Sequence, residues 1–254
     1  MEHMIRLVLG SPQRSADGTE LEEQARMDPT TTVSRIVLDH PACAAVFQDR
    51  HIDFCCNGGV TLEEACATRG LDAGEVAAAL AAAAREGSPP PAEDPRELST
   101  AELVSFIVSR HHAYLRDALP FLVTLAAKVA AVHGDRDPLL RDLQAEFAEL
   151  RETLELHLDQ EEETLFREVV AAEPDQAQLR RELTGMREEH REMGAALRRI
   201  RALSNDYTPP PWACTSYRTL LTELRHFEDD LRRHVHLEND VLLPRFTPVS
   251  CRAA

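Results

Sequence analysis

The sequence predicts an all-α protein in which a small helical module precedes a four-helix bundle. Three observations lead there. In the C-terminal part, four long segments repeat apolar residues at helical spacing, each with one face to bury. Two Pro-rich joints, Gly87-Ser88-Pro89-Pro90-Pro91 and Thr208-Pro209-Pro210-Pro211, stand where a helix cannot continue. No stretch alternates apolar and polar residues over the length of a strand.

The elements follow in chain order. Residues 1–30 are polar and without period and read as a disordered extension. Residues 31–86 form the module. Val33, Ile36 and Val37 begin one apolar face, and Pro41 opens a short helix carrying Ala44, Ala45 and Phe47. Thr61 with Glu64, and Asp72 with Glu75, each place a cap three residues before a Glu and predict two more helix starts. Between them Asp53-Phe54-Cys55-Cys56-Asn57-Gly58-Gly59 is a turn-rich loop. Residues 87–97 are a semi-rigid linker. Residues 98–247 are the bundle. Ser99 and Glu102 cap its first helix, which runs to about Val132 and should kink at Pro120. The second runs from Pro138 to about Ala171, the third from Pro174 to near Leu203, and the fourth from about Thr215 to Leu243.

Composition narrows the function. The chain has 254 residues and a formal charge of −16, which repels phosphate backbones and anionic lipid headgroups. Nucleic acid and membranes are therefore excluded as partners. The longest apolar run, Val76 to Ala84, is too short to span a bilayer, and Ile5 to Leu9 is too brief for a signal-peptide core. The expected address is the cytoplasm, with reduced thiols. Eleven His in an acidic chain stand out.

The buried stripes account for some of them. The second helix reads Leu140, Leu143, Phe147, Leu150, Leu154, His157, Glu161, Leu165. The third reads Leu179, Leu183, Met186, His190, Met193, Leu197, Ile200. The fourth reads Tyr217, Leu220, Leu224, Phe227, Leu231, His234, Glu238, Val241. In the first, Val104, Val108, Leu115, Leu119 and Leu122 make the stripe, and His111 or His112 fills its gap. A lone His on an apolar face is usually a hydrogen-bonded core residue. Two Glu on core stripes, each four residues after a His, are harder to accommodate, because an unpaired buried carboxylate costs several kcal/mol. A metal centre satisfies all six residues at once. Side chains at i and i+4 can close on one ion, and two His–Glu pairs with one His from each remaining helix give six ligands. That number suits two carboxylate-bridged ions, with iron the best match and manganese or zinc possible. His133, His226 and His236 fall off the stripes, and His3, His40 and His51 lie outside the bundle, so these are expected in surface or loop positions. In the acid run from Asp159 to Glu163 only Glu161 falls on the seam; the rest read as a solvated face.

These residues resemble the hemerythrin-like di-iron domain through His112, His157-x-x-x-Glu161, His190 and His234-x-x-x-Glu238. More narrowly, the chain is similar to the iron–sulfur cluster repair di-iron proteins, the family of YtfE and ScdA. That match rests on Asp53-Phe54-Cys55-Cys56 with Gly58-Gly59 and Thr61-Leu62, on the Thr208 to Pro211 run with Ala213-Cys214-Thr215, and on Leu237 to Pro244. Arg167 departs from the family, which often has Pro there. The resemblance selects His112 over His111 through the run Arg116 to Pro120. It implies two iron ions in an oxo- or hydroxo-bridged centre, held by His112, His157, His190 and His234 and bridged by Glu161 and Glu238. It also implies repair of iron–sulfur clusters damaged by nitric oxide or oxidants, through iron donation or nitric oxide chemistry, with damaged iron–sulfur proteins as partners and NO or O2 as small ligands. Cys55 and Cys56, read as an exposed dithiol on a mobile module, would serve in transfer or redox sensing, since adjacent cysteines pair only with strain. Cys43, Cys66, Cys214 and Cys251 are read as structural or incidental. The competing reading is an O2 or NO sensor without repair activity, which would have no use for the Cys55-Cys56 pair.

Overall fold

A computed structural model describes residues 27–86 and 94–246. Most of the extension, residues 87–93 of the linker and Cys251 lie outside the described residues. The module contains α1 (Val33–Asp39), α2 (Cys43–Asp49), α3 (Leu62–Arg69) and α4 (Ala73–Glu86). Thr61 and Glu64 make the reciprocal capping box that starts α3, and Gly70 ends it at φ +66°, a left-handed turn that favours glycine. Asp72 accepts from the Glu75 N–H at 2.8 Å at the head of α4. Residues 27–30, expected in the disordered extension, instead pack on the module. Met27 is buried, and the Pro29 carbonyl accepts from the Glu63 N–H at 2.9 Å.

Four legs make the bundle. The first combines α5 (Thr100–Ile107), a π-helical turn (Val108–His112) and α6 (Ala113–His133), and it opens on the Ser99–Glu102 capping box. Pro120 lies inside α6, which continues to His133. The second leg combines α7 (Leu139–Gln160), a π turn (Glu161–Leu165) and α8 (Phe166–Val169). The third is α9 (Gln176–Leu203), capped by Asp175. The fourth combines α10 (Thr215–Leu237), a π turn (Glu238–Leu242) and a short 3-10 turn. No described helix is long and apolar enough to cross a membrane.

In the first leg Leu103 and Ile107 are buried while Val104 and Val108 are only partly so, one residue off the expected stripe. The π turn accounts for this. Ordinary helical spacing would carry Ile107 on to His111, but the added residue brings His112 inward too and leads on to Leu115.

The module docks on the bundle. Phe47, Ile52 and Phe54 share one apolar cluster with Leu231 and Val235 of α10. Phe54 meets His236 edge-on at 5.5 Å, and Asp49 pairs with Arg225 at 2.5 Å. The docking face also holds a buried charge cluster. Glu228 accepts from Arg201 at 3.0 Å, Arg232 at 2.7 Å and the Tyr207 hydroxyl at 2.7 Å. Because Glu228 is fully buried and answers two guanidiniums, Glu228→Ala should cost roughly 3–5 kcal/mol in urea unfolding. A loss below about 1 kcal/mol would show that water reaches the arginines.

Candidate metal centre

The bundle core is divided into two apolar clusters. One holds Leu115, Leu154, Leu158, Met193, Leu197 and Leu231; the other holds Ile107, Leu165, Phe166, Met186, Val241 and Leu242. His112, His157, Glu161, His190, His234 and Glu238 come between these two sets along all four legs, and each is at most 3% exposed.

The two carboxylates divide their oxygens between two pairs of imidazoles. Glu161 Oε1 lies 3.2 Å from His157 Nε2 and 3.9 Å from His190 Nε2, while its Oε2 lies 3.5 Å from His112 Nε2 and 3.9 Å from His234 Nε2. Glu238 mirrors this, with Oε2 3.1 Å from His190 Nε2 and Oε1 2.8 Å from His234 Nε2. Two donor sets result, His112–Glu161–His234–Glu238 and His157–Glu161–His190–Glu238, each with its donor atoms within 4.8 Å of one another and with both carboxylates in common. Three of the six residues border π turns: His112 ends the first, and Glu161 and Glu238 begin the others.

Hydrogen bonding at the far side of three imidazoles fixes which nitrogen faces inward. His112 Nδ1–H donates to Glu162 at 2.9 Å, His157 Nδ1–H to Glu189 at 2.6 Å and His190 Nδ1–H to the Asn239 side-chain oxygen at 3.1 Å. Carboxylate oxygens only accept, so the Nε2 atoms of His112 and His157 keep their lone pairs. Arg116 steadies Glu162 at 3.1 Å and also pairs with Asp159 at 2.8 Å. The bond from His157 holds Glu189 below the usual carboxylate range, and contacts to His112 and Arg116 hold Glu162 below it against partial burial. His234 instead lies under the His111 ring, which stacks at 6.2 Å and donates to Asp230 at 3.0 Å.

The inner atoms fit a cation. His157 Nε2, His190 Nε2, both Glu161 oxygens and Glu238 Oε2 are buried with no hydrogen-bond partner among the described residues. His112 and His234 bring their Nε2 atoms to 3.1 Å of each other, near the separation of neighbouring ligands on one ion at about 2.1 Å. Burial and the second carboxylate push Glu161 well above the usual range. Burial acts in the same direction on Glu238, but the three surrounding imidazoles outweigh it and hold that group low. Burial also lowers His157, and it lowers His234 to about 4, keeping lone pairs available near neutral pH. A cleft of about 160 Å³ lined by Glu161, Gly185, Met186 and Glu189 reaches the donors from the surface.

Several supporting residues were missed from sequence. Glu162 is half-buried and tied to His112 rather than lying on a solvated face. His236, expected on the surface, is 4% exposed, because Phe54 of the module covers it while Asp240 accepts from its Nδ1 at 2.9 Å. Adjacency was the available signal for Glu162, Glu189 and Asn239, each next to a donor residue. His226 is exposed as expected, whereas His133 contacts Cys214 at 3.1 Å and the Trp212 ring.

The Cys loop is neither exposed nor detached. Cys55 is 3% exposed, and its sulfur lies 3.5 Å from that of Cys56; both are free thiols. Cys56 Sγ donates to the His190 carbonyl at 3.3 Å. Asn239 donates to the Cys55 carbonyl at 2.9 Å while accepting from His190, so one side chain joins the loop to the donor set.

The hemerythrin HHE cation binding domain matches residues 104–246, and the ScdA_N domain, described only as a domain of unknown function, matches residues 29–84. The chain is 34% identical over 213 residues to a probable iron–sulfur cluster repair protein of Haemophilus influenzae, covering 84% of this chain and 95% of that protein. It is 37% identical over 205 residues to the iron–sulfur cluster repair protein YtfE of Yersinia pseudotuberculosis, covering 81% and 91% respectively. The YtfE protein of Yersinia pestis matches at the same identity and coverage.

Two substitutions separate structure from ligation. Glu161→Leu should raise the melting temperature of the metal-free protein, by removing a buried carboxylate, while metal retention collapses. A lower melting temperature would mean that Glu161 is satisfied without metal. Glu189→Gln should weaken metal affinity roughly 10–100-fold with the fold intact, measured by chelator competition; unchanged affinity would remove Glu189 from the orienting set.

Proposed function

The chain belongs to the iron–sulfur cluster repair proteins built on a hemerythrin HHE cation-binding domain, and on that premise we propose that it repairs clusters damaged by nitric oxide or oxidants using a di-iron centre. The observation that carries this reading is the sharing of both Glu161 and Glu238 between two His pairs in a buried core, where both Glu161 oxygens, Glu238 Oε2 and the Nε2 atoms of His157 and His190 have no hydrogen-bond partner among the described residues. His112, His157, His190 and His234 would hold the ions, with Glu161 and Glu238 common to both. When bound, iron supplies coordination positions for a diatomic such as NO or O2, and its largely imidazole ligation leaves it exchangeable for donation.

The chain's own residues prepare that chemistry. Glu162, Glu189 and Asn239 hold the imidazole Nδ1 protons and so keep three rings oriented. Phe166 stacks on His112 at 5.5 Å, and the two apolar clusters flank the donors on either side, leaving the cleft beside Glu161 as the way in. The cleft beside Glu161 and Glu189 offers a cation an acidic approach. Asn239 and the Cys56 thiol fix the Cys loop over His190, which supports a transfer role for Cys55 and Cys56 through a short docked path rather than a swinging module. The free thiols among the described residues suit the reducing cytoplasm.

A sensor without repair activity is the weaker reading, because the similarity to repair proteins spans module and bundle together. The reduced, iron-loaded protein should restore activity to a dehydratase whose cluster nitric oxide has damaged, and no recovery would leave the sensor reading ahead. The Cys55→Ser/Cys56→Ser variant should retain its iron yet restore the dehydratase at least several-fold more slowly; an unchanged rate would remove the thiols from the mechanism.

A further inference from the structure

A cavity of about 400 Å³ lies at the seam between module and bundle, apart from the metal donors. Its wall carries Arg69, Arg198, Arg201 and Arg232 against Asp53 and Asp206, a net positive surface on a chain of formal charge −16. The guanidiniums are not equally committed. Arg201 and Arg232 are buried and engaged with Glu228, and Arg201 also with Asp206. Arg198 reaches Asp53 only at 3.5 Å and is half exposed, and Arg69 has no ion-pair partner among the described residues.

A second, independent observation concerns Gln48, which lines the same cavity. It is 5% exposed, and its Nε2 donor has no hydrogen-bond partner among the described residues. An orphaned buried N–H is uncommon and points to an acceptor that belongs there. The backbone agrees. His51, Asn205 and Asp206 line the cavity at φ of 55°, 50° and 55°, and Tyr207 follows at 57°. One left-handed residue after a helix is ordinary, but three in succession without glycine are held by their surroundings.

We propose that this cavity binds a small organic anion through a carboxylate or phosphate group, with Arg69 and Arg198 taking the charge and the Gln48 amide donating to it. The unpaired or only weakly paired groups are donors, two of them planar guanidiniums that match a carboxylate or phosphate in bidentate fashion. The volume suits a metabolite rather than a macromolecule. The site spans α2 and α3 of the module and α9 and α10 of the bundle, so its occupant ties the two units together.

Calorimetric titration of the full iron-loaded chain with succinate and, separately, with inorganic phosphate, at constant ionic strength, distinguishes the two sources. At least one should bind saturably, one per chain, and the better binder identifies the group. Arg69→Ala/Arg198→Ala alters exposed positions, should melt as the parent does, and should bind roughly tenfold more weakly or worse. Gln48→Glu should also abolish binding, by placing a like charge at the cavity wall. No saturable binding of either anion, or binding unchanged in either variant, overturns the assignment.

Discussion

Two carboxylates, Glu161 and Glu238, sit at the centre of a helical bundle with no guanidinium or ammonium paired to them among the described residues, and the surrounding structure is arranged to make that tolerable. Left alone, such a pair costs several kcal/mol and keeps one proton. The bundle answers with imidazole nitrogens on both sides of each carboxylate, the nearest at 2.8–3.5 Å. It surrounds the whole belt with two apolar clusters rather than one continuous core. Three legs interrupt their α-helices with π turns at these residues, a local departure that re-aims side chains where ordinary spacing would misplace them. The imidazoles satisfy the carboxylates only in part. The remaining lone pairs converge on one another, a donor arrangement that fits a cation.

Much of this was legible in the chain. The capping boxes at Thr61 and Ser99 and the interrupted stripes of the second, third and fourth helices depend on local spacing, and local spacing survives folding. A His and a Glu one helical turn apart on a buried stripe needed no structure to be conspicuous. The first leg was harder for a definite reason. Helical period carries Ile107 to His111, and only the added residue of the π turn brings His112 inward, so periodicity alone left the choice open. The resemblance to the repair family settled on His112, whose Nε2 faces the donor set, while His111 stacks beside His234 and bonds to Asp230.

What the chain could not show were contacts between distant segments. His236 falls off the buried stripe of its own helix, which predicts a surface position; Phe54, far away in sequence, supplies the cover. The Cys loop was read as mobile and exposed from its glycines, yet its attachment to Asn239, His190 and Arg232 comes from the bundle. The same seam gathers the arginines of the large cavity from helices on both sides. Module and bundle therefore share one interface. The matches to known proteins span both, in agreement with a function that needs the pair.

The central claim is that Glu161 and Glu238 are common to two metal ions. Anaerobic loading with Fe(II), followed by desalting and metal analysis, tests it most directly. The shared-carboxylate geometry predicts close to two irons retained per chain, with Glu161→Leu unable to keep the pair. One tightly held ion per chain, or a stable preference for zinc over iron, would contradict it.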